Sequence, residues 1–154
     1  MDRDWVDLPA GGFSGEIPEF PLPRAIQFES YFENGKKVTE RDDAATADVW
    51  DAELELWAEL WRKPQAAAWE SLGLKFQVAA YVRTFLESVQ AGAVSGLKTA
   101  VLRMEAELGL NVPGMRSNGW RIADGTAAAP ATTAQSARKT SSGDWLKAVS
   151  VEGA

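Results

Sequence analysis

Large apolar side chains recur from Thr46 to Lys63 at Trp50, Leu54, Trp57 and Trp61, spaced four, three and four residues apart. That spacing places them on one face of an α-helix and is incompatible with the two-residue period of a strand. Asp48, Asp51, Glu53, Glu55 and Glu59 fill the remaining positions, and acids in the first turns suit the helix dipole. A helix of this kind must bury its tryptophan stripe against other elements of the chain or against a second subunit. The same reasoning extends to Trp69 in the next segment.

Further helical stretches follow. Pro64 ends the first helix and opens a short one reaching about Leu72, with Gly73 as terminator. Val78, Val82, Phe85 and Val89 repeat the four-three-four spacing between Leu74 and Gln90, and Leu97, Val101, Met104 and Leu108 repeat it again between Leu97 and Leu108. Gly109-Leu110 reads as a left-handed cap with its hydrophobic contact. Pro113 is expected to prevent the helix from resuming, and Ser117-Asn118-Gly119 reads as a turn.

The flanks differ from this region. Four prolines and the Gly11-Gly12 pair in residues 1–25 argue for an extended arm, and Asn34-Gly35 signals a short hairpin before residue 40. Residues 124–143 are dominated by Ala, Thr, Ser and Gly, a composition that does not offset its ordering entropy. Residues 144–154 regain bulk at Trp145, Leu146 and Val149, which fit one short amphipathic face for docking on a partner, or else a frayed tail. The expected fold is mostly α. It is a compact bundle of three to four helices over residues 41–123, with an extended N-terminal arm over 1–40 and a disordered C-terminal tail.

Several classes of chemistry drop out. The chain has no Cys and no His, which removes thiolate nucleophiles, imidazole bases, disulfides and the commonest metal ligands. Neither a phosphate-binding glycine loop nor a dinucleotide fingerprint is present. The pairs Asp42-Asp43 and Glu105/Glu107 lack companion ligands, so neither a catalytic residue, a metal site nor a cofactor is expected. No run of about 18 apolar residues occurs, and Met1-Asp2-Arg3-Asp4 does not resemble a secretory signal.

The net charge of −6 is unevenly spread: residues 1–40 and 41–110 carry −4 each, and residues 111–154 carry +2. Any nucleic-acid contact must therefore come from a local basic face or from one repeated by oligomerisation. Arg62 and Lys63 close the tryptophan-rich helix, where cations complement the dipole. Arg116 and Arg121, just past the last helix, have no such structural role and are the leading contact candidates. Lys98 and Arg103 on that helix are possible helpers.

Two segments resemble a known family. Trp50, then Trp57-Ala58-Glu59-Leu60-Trp61-Arg62-Lys63-Pro64-Gln65-Ala66 and Trp69, are similar to a tryptophan-rich segment of actinobacterial-phage terminase small subunits. Val101 to Met115 (VLRMEAELGLNVPGM), followed by Trp120-Arg121-Ile122, is similar to a second segment of the same family. The resemblance covers about residues 46–123, and Lys63 stands where the family carries Ser. It implies a non-enzymatic homo-oligomeric ring in the host cytoplasm that binds viral double-stranded DNA and passes it to a large ATPase/nuclease subunit. The alternative is a helical interaction or regulatory adaptor without a nucleic-acid role. A membrane partner is not expected.

Overall fold

A computed structural model of the chain describes residues 3–124. In chain order its elements are β1 (Val6–Leu8), β2 (Gln27–Glu33), β3 (Lys36–Asp42), α1 (Asp43–Leu60), α2 (Gln65–Leu72), α3 (Lys75–Ser88), α4 (Ser95–Glu107), α5 (Val112–Asn118) and β4 (Trp120–Ile122). The described residues are thus mostly helical, with five helices and two small two-stranded sheets, rather than a bundle of three to four helices. The expected linker at 124–143 and amphipathic tail at 144–154, with Trp145, Leu146 and Val149, lie outside the described residues, Asp124 excepted.

Local chemistry sets the element ends. The Asp42 side chain accepts from the Ala45 amide at 2.9 Å and caps α1, so the helix begins three residues before Thr46 and ends at Leu60. Pro64 precedes α2, whose last carbonyls are closed by Gly73 at φ 69°. Gly109 adopts φ 67°, and the Leu110 amide reaches back to the Glu105 carbonyl at 2.8 Å, which completes the left-handed cap of α4. Pro113 does not keep the chain out of a helix. It sits in the first turn of α5, where its missing N–H costs nothing, and the Asn111 side chain caps the Gly114 amide at 2.7 Å. Ser117 and Asn118 complete this helix, and Gly119 ends it.

The core gathers Trp57, Trp61, Trp69, Val78, Val82, Val101, Leu108 and Trp120 between the helices. Trp61 contacts both Trp57 and Trp69 with ring centroids 5.3 and 5.8 Å apart. The N-terminal arm is part of this core. Leu8 and Phe20 are buried, Phe13 packs edge-on against Trp61, and the Trp57 indole donates to the Pro18 carbonyl at 2.8 Å. The arm also supplies β1, which pairs in parallel with β4 in the register Val6 with Trp120 and Leu8 with Ile122. Strands β2 and β3 form an antiparallel hairpin closed at Asn34-Gly35, both with positive φ.

One face differs from the sequence reading. Leu54 is 37% exposed, whereas Glu53, assigned to the polar side of α1, is 1% exposed. The Arg83 guanidinium explains it, donating to the two Glu53 carboxylate oxygens at 2.7 and 2.9 Å and to the Pro23 carbonyl at 2.6 Å. A buried carboxylate persists only when paired and hydrogen-bonded in this way. Val89, read as part of the α3 stripe, falls beyond the helix end and is exposed.

Candidate nucleic-acid interface

The short β1–β4 ladder and the end of α5 bring three arginines to one corner. Arg116 lies in the last turn of α5, and Arg121 is the central residue of β4. Arg3 joins them from the start of the chain, donating through Nη1 to the Arg116 carbonyl at 2.7 Å and through Nη2 to the Ser117 carbonyl at 3.2 Å. These carbonyls end a helix, where a cation is favoured. Arg3 escapes a sequence reading because acids flank it and its partners lie more than a hundred residues away.

The corner is not purely basic. The Arg121 guanidinium makes a bidentate pair with Asp7, its neighbour across the ladder, and the two side chains are 59% and 53% exposed. The hydrogen bond from Arg121 holds the Asp7 carboxyl below its ordinary range, and the Asp7 carboxylate correspondingly raises Arg121. An exposed pair of this kind is weak and exchangeable. Arg121 can therefore leave Asp7 for a phosphate, while the Arg116 side chain is exposed without an ion-pair partner among the described residues.

The remaining bases are dispersed. Lys98 and Arg103 are both exposed on α4, but five residues separate them, about 140° around the helix axis. Arg62 is exposed past the end of α1, and its carbonyl accepts from the Phe13 amide at 3.3 Å. Lys63 is half-buried at the wall of a cavity of about 450 Å³ that Tyr81 and Glu105 also line. There the Tyr81 hydroxyl donates to Glu105 at 3.0 Å, and burial first, then this bond, pushes the phenol well above its ordinary value. This bond ties α3 to α4.

The aromatic candidates divide by burial. Trp57, Trp61 and Trp69 lie in the core, whereas Trp50 is half-buried between Phe20 and the Arg24 guanidinium, and Leu54 faces out. Among the described residues, no group of three or more acids is placed to hold a metal ion, and no helix is long and apolar enough to cross a membrane.

Comparisons with protein-family models, with curated proteins and with solved structures returned no match.

Proposed function

We propose that this chain is a small subunit of the terminase type, a non-enzymatic protein that self-assembles, binds viral double-stranded DNA and delivers it to a large ATPase/nuclease subunit in the host cytoplasm. One observation carries the reading. The two segments that resemble the family meet in a single joint: the Trp69 indole donates to the Leu108 carbonyl at 2.9 Å, and the Gln65 amide donates to the Gly109 carbonyl at 3.0 Å. Both bonds are buried, so the residues that resemble the family hold α2 to the end of α4 and set where α5 and β4 begin.

On this reading the phosphate contacts come from the exposed Arg116 and Arg121, with Lys98, Arg103, Arg62 and Lys63 as secondary candidates. Repetition around an assembly raises the effective concentration of such weak sites, which an acidic protomer needs. The segment with Trp145, Leu146 and Val149 would dock on the large subunit. Titration of the full chain onto genome-end and random duplexes at several salt concentrations tests the proposal. Arg116→Ala with Arg121→Ala should weaken binding and reduce the salt slope by about 0.9 for each phosphate that is no longer neutralised. An assembled wild type that binds neither duplex would exclude a DNA role. The net charge of −6 and the carboxylate of Asp7 on Arg121 favour the second reading, an adaptor that contacts only proteins, and that result would support it.

A further inference from the structure

The β2–β3 hairpin carries two faces of different chemistry. Directly opposed residues of an antiparallel pair share a face. Phe28 opposes Arg41, Ser30 opposes Thr39 and Phe32 opposes Lys37, and the Ser30 and Thr39 hydroxyls lie 3.0 Å apart. Phe28 is 65% exposed and Phe32 77%. On the other face Glu29 opposes Glu40, Glu33 opposes Lys36, and the Tyr31 hydroxyl donates to Glu40 at 3.0 Å.

Three features argue that these faces do not end in water. An isolated two-stranded hairpin is marginal at best, and neither strand pairs with any other strand among the described residues. Phe28 and Phe32 hold most of their surface in solvent on one face, on either side of the Ser30–Thr39 pair, where burial against a partner would be favourable. Glu29 and Glu40 are like charges placed directly opposite one another, an arrangement that destabilises a strand pair unless a cation lies over it. All three are relieved when the aromatic, cationic face of one hairpin lies on the acidic face of another.

We propose that the β2–β3 hairpin is a head-to-tail contact between copies of this chain, with Phe28, Phe32, Lys37 and Arg41 of one copy seated on Glu29, Tyr31, Glu33 and Glu40 of the next. The two faces are different surfaces, so the contact is heterologous and propagates to a ring or an open filament. A nucleic acid fits the hairpin less well. Phosphates would meet the acids of the opposite face, Glu29, Glu33 and Glu40, at short range. The inference rests on the self-assembly part of the function proposed above and not on its DNA part.

Sedimentation velocity of the full-length protein tests it, with circular dichroism as the check on folding. Wild type should sediment as an assembly, and Phe28→Ser with Phe32→Ser as a single chain. Lys37→Glu with Arg41→Glu makes both faces acidic and should abolish assembly. Glu29→Lys with Glu33→Lys makes both faces basic and should do the same. All four charge changes in one chain restore opposite faces and should restore the assembly. A monomeric wild type, a folded fourfold variant that stays monomeric, or charge variants that assemble like wild type would each overturn the proposal. So would a phenylalanine variant that keeps its assembly mass but loses binding to a random duplex, because the hairpin would then be a nucleic-acid surface. An assembly that depends on the hairpin but binds no DNA would sink the DNA role alone and leave this inference standing.

Discussion

Glu53 on α1 and Arg83 on α3 are joined by two hydrogen bonds of 2.7 and 2.9 Å, with the carboxylate almost wholly enclosed. Arg83 spends a further donor on the Pro23 carbonyl and lies over the Phe20 ring, so one side chain ties α1, α3 and the N-terminal arm together. Arg83→Met strands a charge beneath the arm and should destabilise the protein by about 3–5 kcal/mol, the usual cost of breaking a buried pair. Replacing both members with Glu53→Leu and Arg83→Met should cost much less than the two single changes together. Urea unfolding of the four proteins provides the cycle; additive costs would mean that the two side chains act independently.

Trp57 and Leu54 test which side of α1 faces inward. Trp57 is 3% exposed, contacts Phe20 and Trp61, and has its indole N–H satisfied by Pro18. Trp57→Ala should cost about 3–5 kcal/mol through reduced burial and a residual cavity. Leu54→Ala should stay within about 0.5 kcal/mol in the protomer, as for a surface site. If the two substitutions had equal effects on protomer unfolding, the packing of this face would need revision.

Asp7 gives the ladder a pH dependence. Its folded-state carboxyl titrates below the ordinary value of 3.8 because Arg121 donates to the carboxylate. The contribution is present above pH 3.8, where both folded and unfolded forms are ionised, and is lost as the pH falls below it through the folded value. Hydrogen exchange at the Val6 and Ala123 amides, which donate to Gly119 and Leu8 at 2.8 Å, should accelerate in that acid range relative to neighbouring core amides. Asp7→Asn should remove this local pH dependence. Identical acid profiles for the variant and the wild type would show that the pair does not hold the strands.

Helix punctuation is readable from the chain because it is local. Pro64, Gly73, Gly109 and the Asn34-Gly35 turn act through their own backbone preferences, and each lies at an element boundary. The sequence reading starts α1 too late because the apolar stripe begins only at Trp50, whereas Asp42 caps the helix from outside that stripe. What distant contacts decide is not readable. Strands of three residues show no period, so the pairing of Val6 with Trp120 leaves no trace in either segment. Glu53 looks like any acid on a polar face until Arg83 is placed over it. Arg3 likewise enters the basic corner only through the parallel ladder that returns the N-terminal arm to α5. For Arg116 and Arg121, residue type and position can be read from the chain, but the carboxylate on Arg121 cannot.

Gly114 links packing to that corner. A Cβ at this position would collide with the Ala106 carbonyl oxygen and lie 2.8 Å from the Ala106 Cα, both backbone atoms of α4. A helix backbone does not yield as a flexible side chain does, so α5 must move instead. The Asn111 cap resists the shift because its side chain is bonded to the Gly114 amide at 2.7 Å. Gly114→Ala should therefore cost about 1–3 kcal/mol, the range for overpacking a fitted contact. Gly96 is the control. It also lies within a helix, α4, but a Cβ there meets nothing within 4 Å. Gly96→Ala should be neutral or stabilising by up to about 1 kcal/mol, since it only restricts the unfolded chain. The two variants also separate stability from function. α5 carries Arg116, whose carbonyl anchors Arg3, so displacing the helix moves two of the three arginines at once. At a temperature where both variants remain folded, Gly114→Ala should weaken duplex binding and Gly96→Ala should not. Wild-type duplex binding by a destabilised but folded Gly114→Ala protein would count against this corner as the proposed DNA contact and leave the bases of α4 and the α1 end as the ones to test.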